Sequence, residues 1–351
     1  MHMNGPSRLA YPFESRPAPG EAIEVRSGVL WLRMPMPFAL DHINLWAIRE
    51  EQGWAVVDSG LRTVDTLAAW HRLLDNNGPL AGLPVSRVVV THMHPDHVGM
   101  AGWLTRRFKC PFMMTRLEYL SCRVMVADTG RAAPDEGVEF FRRAGWAETA
   151  LDEYRTRFGD FGKMIHPLPD RFERLSDGQT LRLGDHVWEV VVGSGHSPEH
   201  ASLYCTELEA LISGDQVLPR ISSNTSVHPT EPNADPIRDW LRSIADMRRR
   251  ISGEVLVLPA HNEPFFGLHQ RLSQLESFTL RDLTNLRAQL KSPKRVADLV
   301  QSLFRPAVAA DPEQNHLATG EMIARLNHLL HLGEASMEMS GTGVAWYRIQ
   351  P

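Results

Sequence analysis

One stretch, residues 88–100, reads Val-Val-Val-Thr-His-Met-His-Pro-Asp-His-Val-Gly-Met and constrains how the rest of the chain can fold. A β-branched run, Val88 to Thr91, predicts a buried strand. It ends abruptly in His92, His94, Asp96 and His97. Side chains alternate along an extended segment, so His92 and His94 point the same way. Asp96 and His97 open the helix-like stretch that follows, where they can turn toward a neighbouring point. Imidazole suits Zn, Fe, Ni and Cu, and a carboxylate adds charge without the redox liability of a thiolate. Three imidazoles and a carboxylate within six residues at a strand end therefore predict a metal centre better than a surface loop with chance histidines.

On these residues the chain resembles the metallo-β-lactamase-fold hydrolase superfamily. The resemblance implies an α/β fold, an αββα sandwich with a dinuclear metal site at one edge of its two sheets. It also implies further motifs at later strand ends, and these occur in the family's order. The strand Val187 to Val192 runs into Gly-Ser-Gly-His-Ser-Pro-Glu-His, with His196 at its tip. Ala210 to Ser213 runs into Gly214-Asp215, and Val255 to Leu258 into Pro-Ala-His261. The family usually has glycine where Ala260 stands, a departure that leaves His261 itself in place. By resemblance, His92, His94 and His196 hold one divalent ion, Asp96, His97 and His261 hold a second, and Asp215 bridges them. His200 reads as a structural histidine beside the ligands. Asp58, in Val-Val-Asp-Ser-Gly, has two readings: a helix N-cap for the segment beginning near Thr63, or a carboxylate orienting a metal-bound histidine.

Length and composition set the bounds. A chain of 351 residues predicts one large domain and a small one. Hydrophobic residues at 43% suffice for a full core, and a net charge of −5 argues against a general nucleic-acid or anionic-membrane binder. Cys110, Cys122 and Cys205 show no C-x-x-C spacing, which fits a reducing cytoplasm. Residues 1–20 are polar and proline-rich, without the apolar core of a signal peptide. No apolar run approaches the ~20 residues that span a bilayer. The expectation is a cytoplasmic protein without a membrane partner.

Along the chain, residues 22–58 alternate as strands with a bend at Gly53, and residues 63–77 carry apolar residues at helical spacing, stopped by Asn77-Gly78-Pro79. One helix is expected from about 97 to 107 and a short strand from Pro111 to Thr115. Residues 117–165 are helix-rich and interrupt the βα alternation. They are expected either to cover the metal edge or to form an added helical layer. Tyr119, Met125, Phe140, Phe141, Trp146, Tyr154, Phe158 and Met164 are candidates to line an acyl groove there, with Arg123, Arg131, Arg142, Arg143 and Arg155 for an anionic carrier. A six-turn helix follows Phe266, and Ser292-Pro293 marks a linker, so the expected domains are 1–291 and 292–351. The last sixty residues read helix, helix, strand, turn, strand, a winged-helix-like pattern. Its reading helix offers only Arg325 among strong cations, too few for phosphates. Packing or homodimerisation is the expected role.

The resemblance thus implies a hydrolase in which a hydroxide shared by two divalent ions, zinc first, attacks a carbonyl, with Asp96 orienting it and taking its proton. No Gly-x-Ser-x-Gly elbow is present. His94 stands where the diiron oxygen-reducing members carry glutamate, which favours hydrolysis. The expected substrate is a thioester of acyl-CoA, acyl-carrier or acyl-glutathione type, although the basic C-terminal pattern of glyoxalase II is not recognisable. The alternatives are an RNA phosphodiesterase or a lactonase.

Overall fold

The computed structural model describes residues 9–38 and 40–350; the expectation for the polar first residues therefore lies partly outside the described region, as do the outer bounds of both expected domains. The first sheet has seven strands in sequence order: β1 (Ala22–Arg26), β2 (Val29–Pro35), β3 (His42–Glu50), β4 (Gly53–Val57), β5 (Val85–Val89), β6 (Phe112–Thr115) and β7 (Glu173–Leu175). The first four are antiparallel, and β4 to β7 run parallel. Their crossovers carry α1 (Val64–Leu73), α2 (Pro95–Val98), α3 (Ala101–Phe108), α4 (Arg116–Ala127), α5 (Asp135–Arg143) and α6 (Glu148–Arg157). The second sheet places β8 (Thr180–Leu183), β9 (His186–Gly193), β10 (His200–Cys205), β11 (Ala210–Gly214) and β12 (Leu256–Pro259) in the spatial order β12-β11-β10-β9-β8. Between β11 and β12 runs α7 (Pro236–Arg250), and α8 (Leu268–Gln289) follows β12.

Period-two alternation builds the layers. On β3, Trp46 and Ile48 face the second sheet, where they meet Leu183, Trp188, Val190 and Leu203. Ile43, Leu45 and Ala47 face the other way, onto Trp70 and Leu73 of α1 and Leu104 of α3. The outer face of the second sheet, with Val191, Leu211 and Val257, is covered by Trp240, Ile244 and Met247 of α7 and by Leu272 and Leu275 of α8. Two sheets face to face, each with helices outside, make the αββα sandwich.

The expected helix over 97–107 is broken into α2 and α3. The carbonyl of His97 accepts from both the N–H and the hydroxyl of Ser59 (2.8 and 2.7 Å), and the Met100 N–H donates to Gly60 (3.0 Å). A Cβ on Gly99 would meet the Pro95 carbonyl at 2.5 Å and that of Gly60 at 2.6 Å. The Asp58-Ser59-Gly60 turn therefore takes over bonds a continuous helix would have used.

The chain ends in α9 (Val296–Leu303), α10 (Pro306–Ala310), α11 (Pro312–His331) and the antiparallel ribbon β13 (Ala335–Met339) and β14 (Ala345–Ile349). α11 begins at Pro312, because Asp311 caps it by accepting from the Gln314 N–H (2.9 Å) and Pro312 starts it. The helical segment after β6 divides. α4 packs on the first sheet through Tyr119 and Cys122. α5 and α6 instead bury Val138, Phe140, Phe141 and Leu151 against Leu283 of α8, Val296 of α9 and Met322 of α11. Phe141 lies 4.4 Å from Trp146 and 4.8 Å from both Tyr154 and His316, ring to ring. Phe140, Phe141, Trp146 and Tyr154, expected to line an acyl groove, are thus consumed in joining this segment to the C-terminal unit, while Phe158 lies against Tyr154 (6.0 Å) and Tyr119 stacks on Phe172 at 4.0 Å.

Candidate metal centre

Four strand ends converge on one edge of the sandwich. β5 delivers His92, His94, Asp96 and His97; β9 delivers His196; β11 delivers Asp215; β12 delivers His261. The seven fall into two groups, His92, His94, His196 and Asp215 in one and Asp96, His97 and His261 in the other. The ligand-type atoms of each group lie within 4.8 Å of one another.

The distances are short. His92 Nε2 is 2.9 Å from His94 Nδ1 and 3.3 Å from His196 Nε2. A tetrahedral zinc with Zn–N bonds near ~2.05 Å has N···N edges of about 3.3 Å. Asp215 splits its carboxylate between the groups: Oδ2 lies 3.4 Å from His196 Nε2, while Oδ1 lies 3.6 Å from His97 Nε2 and 3.5 Å from His261 Nε2. Asp96 Oδ2 is 3.3 Å from His261 Nε2 and 3.6 Å from His97 Nε2.

The far nitrogens of the rings are held from behind. His97 Nδ1 donates to Asp58 (2.7 Å), His196 Nδ1 to the Asn224 carbonyl (2.7 Å) and His261 Nδ1 to the His42 carbonyl (2.8 Å). The Thr91 hydroxyl donates to Asp58 (2.9 Å) and so can accept from His92 Nδ1 (3.0 Å). In each ring this leaves the inward nitrogen bare, the arrangement a metal-ligating histidine requires. Asp58 is therefore the orienting carboxylate, and Thr63 caps α1 itself, accepting from the Thr66 N–H (3.0 Å). Asp58 holds a left-handed backbone (φ 61°), which aims its carboxylate back under Thr91.

Two buried atoms, His97 Nε2 and Asp215 Oδ1, have no hydrogen-bond partner. Leaving such groups unpaired is costly, and a cation between them removes the cost. The electrostatics agree. Burial pushes His92 well below the usual imidazole range and His94 down to about 3, so both are neutral donors. Burial also opposes charge on His97 and His261, but Asp58, Asp96 and Asp215 around His97, and Asp215 and Asp96 beside His261, outweigh it and raise both. The carboxylates thus call for positive charge between them. The donor set fits divalent ions.

His200 lies beneath this layer. Its Nε2 accepts from the Asp215 N–H (3.1 Å), and its ring sits 4.9 Å from that of His92. A Cβ on Gly214 would fall 2.4 Å from that Nε2, so the glycine is what lets His200 support Asp215. Ala260, with its N–H on the Gly214 carbonyl (3.0 Å) and its carbonyl on the Asn44 N–H (2.6 Å), keeps His261 aimed without needing glycine.

A family model described as the metallo-beta-lactamase superfamily matches residues 39–261, well over half the chain. The chain belongs to the metallo-β-lactamase superfamily. A second model, the metallo-beta-lactamase-like C-terminal domain, matches residues 283–350. A beta-lactamase domain protein from Burkholderia ambifaria is 38% identical, with a TM-score of 0.88 over 97% of this chain and 98% of its own. A metallo-beta-lactamase family protein from Thermus thermophilus shares the fold at a TM-score of 0.77 and 24% identity, over 93% of this chain and all of its own. Among curated relatives, one named "Probable metallo-hydrolase YqjP" from Bacillus subtilis is 24% identical over 80% of this chain and 86% of its own. As a superfamily member the chain is a metallo-hydrolase carrying a His/Asp cluster suited to metal.

Besides Asn224, which acts through its backbone carbonyl, a residue at this metallo-β-lactamase site without a sequence signal is Glu118. Glu118 on α4 is fully buried, and it accepts from the Met93 N–H (2.9 Å) and the Glu199 N–H (2.8 Å). It therefore ties the loop carrying His92 and His94 to the loop carrying His196. Between Leu117 and Tyr119 on a surface-type helix, its sequence neighbourhood is that of a solvated glutamate. Replacing Glu118 with Gln turns an amide NH₂ toward one of those donors. We expect a loss of about 1–3 kcal/mol in a denaturant titration. An unchanged midpoint would remove Glu118 from this role.

Proposed function

We propose that this chain is a dinuclear metal-dependent hydrolase acting on a thioester with an apolar acyl group. The reading is carried by His97 Nε2 and Asp215 Oδ1, buried 3.6 Å apart and each without a hydrogen-bond partner, where a cation would satisfy both. His92, His94 and His196 would hold one ion, Asp96, His97 and His261 the other, and Asp215 both. Zinc is the first choice for a set of imidazoles and carboxylates without thiolate. Two such ions, when bound, acidify a shared water to a pKa near ~7 and stabilise the oxyanion of an attacked carbonyl. The chain's own groups do the rest. Asp58, Thr91 and the carbonyls of His42 and Asn224 fix the rings. Desolvation would raise the Asp96 carboxyl, but the nearby His97 and His261 outweigh it and hold it at about 2, so Asp96 stays ionised. An ionised Asp96 at the face of the cluster can take a proton from the attacking water.

The substrate class rests on what borders the site. Leu117, Leu120 and Val124 form a stripe on α4, exposed by 46, 48 and 58%. Leu117 donates its N–H to Glu199 Oε2 (2.8 Å), so the stripe begins at the rim of the His196 loop. An acyl chain leaving the metals along α4 would cover it. Four of the five arginines considered for an anionic carrier are already paired: Arg123 with Asp170 (2.9 Å), Arg142 with Glu139 (3.2 Å), Arg155 with Asp152 (2.6 Å), and Arg131 with Asp128. On α11, Arg325 is spent on Asp282 (2.9 Å) and Glu321 (2.7 Å). These neutral pairs support a small acyl substrate over RNA, and a packing role for the C-terminal unit. No described helix is long and apolar enough to cross a membrane.

The test is a series of acyl thioesters from acetyl to decanoyl with metal-loaded protein. Each buried CH₂ is worth about 0.8 kcal/mol, so kcat/KM rises roughly four-fold per methylene until the stripe is covered. Leu120→Asp flattens the slope while sparing the acetyl rate. A flat wild-type series, or turnover of RNA and of no thioester, overturns the reading.

A further inference from the structure

The segment from Asp215 to Asp235, between β11 and α7, contains no helix or strand. Its far half is held almost entirely by α11. The Val227 N–H donates to the Gly320 carbonyl (3.1 Å), and the Ser226 hydroxyl lies 3.2 Å from the Leu317 carbonyl. Asn224 Nδ2 reaches Glu321 (3.4 Å), and Asn327 Nδ2 donates to the carbonyls of Pro232 and Ala234 (both 2.9 Å). The approach is tight: a Cβ on Gly320 would lie 2.9 Å from Ser226 Cβ, Ser226 Oγ and the Val227 carbonyl oxygen alike.

This segment carries the carbonyl of Asn224 that receives His196 Nδ1 (2.7 Å). A second route reaches the same loop. Asp235 caps α7 by accepting from the Arg238 N–H (3.0 Å) and pairs with His328 of α11 (3.0 Å). α7 in turn packs its Trp240 backbone against Gly195, where a Cβ would meet the Trp240 Cα and N at 2.8 Å, and offers the Ser243 hydroxyl to the Ser194 N–H (2.8 Å). Gly195 holds φ +109°, so the loop has no other residue type to spare there.

We propose that the C-terminal unit, through α11, is a positioning device for the His196 ligand, setting the orientation of its ring and thereby the strength of one metal position. The inference rests on the dinuclear reading above. It assigns α11 a part in the metal centre that its sequence, poor in unpaired cations, does not suggest.

Gly320→Ala in the full-length protein tests it, because the new methyl must push the 224–227 segment away. Zinc affinity is read by chelator competition, and the Co(II)-substituted protein by its visible absorption bands. The expected result is about ten-fold weaker binding of one ion of the two, the size typical for a lost outer partner, with an altered Co(II) spectrum. Removing Ser226 Cβ and Oγ in the Ser226→Gly/Gly320→Ala double variant restores part of both. Should Gly320→Ala fail to fold, Ser226→Ala, which adds no volume and only deletes the hydroxyl's bonds, gives a smaller loss at the same position. Wild-type affinity and spectrum in the folded variants overturn the inference alone. A wild-type protein that binds no metal overturns the dinuclear reading as well.

Discussion

In Asp215→Ala protein, both metal positions are expected to weaken together. No other ligand of the set divides its two oxygens between the groups, with Oδ2 toward His196 and Oδ1 toward His97 and His261. Truncation removes the only carboxylate of the first group and one of the two in the second, and with it the charge that balances two dications. Outer partners of a metal commonly cost 10–100-fold in affinity when lost, so a shared direct ligand should cost at least ~100-fold at each position. Turnover should fall with it to the uncatalysed level. His94→Ala provides the contrast, since His94 belongs to one group and should empty one position. Equilibrium dialysis followed by elemental analysis separates the two outcomes. Asp215→Ala protein that keeps one ion at wild-type affinity would show that the carboxylate does not bridge.

Asp58→Ala is expected to give the largest loss of stability. Its carboxylate is buried and accepts from the Thr91 N–H (2.8 Å), the Thr91 hydroxyl (2.9 Å) and His97 Nδ1 (2.7 Å). Deleting one partner of a buried, hydrogen-bonded pair costs about 3–5 kcal/mol, because the other is left unanswered. Alanine also sits poorly at φ 61°, where asparagine is tolerated. Asp58→Asn should therefore lose less stability, but its amide cannot accept from all three donors and no longer fixes the His97 ring. Denaturant midpoints measured with and without chelator read both effects. A loss below ~1 kcal/mol for Asp58→Ala would mean that Thr91 and His97 find other partners.

The metal edge was legible because its residues are costly anywhere else. A histidine or aspartate at the tip of an apolar strand, four times over, is a local signal that needs no tertiary knowledge. The orienting role of Asp58 was legible only as one of two readings, since a carboxylate before a helix also suits a cap; the bond to His97 decides between them. Glu118 and Asn224 were not legible. Glu118 acts through a burial that a helical segment does not advertise, and Asn224 acts through a backbone carbonyl, which every residue has. The segment 117–165 shows a different limit. Its apolar residues were readable as buried, but the surface burying Phe140 and Phe141 comes from α8, α9 and α11, far along the chain. Only Leu117, Leu120 and Val124 are left for a ligand, and in sequence they look like the rest. α7 carries signals of its own, Asp235 before Pro236 and buried residues at Ile237, Trp240, Ile244 and Met247, overshadowed by the metal motifs on either side.

The central claim, that the seven residues His92, His94, Asp96, His97, His196, Asp215 and His261 hold a pair of divalent ions, is tested most directly by metal content. Protein purified without chelator and dialysed against zinc-free buffer is digested and its metals counted by elemental analysis. The account predicts two ions per chain, falling to one in His92→Ala. No bound metal, or a single ion that survives His92→Ala unchanged, would contradict it.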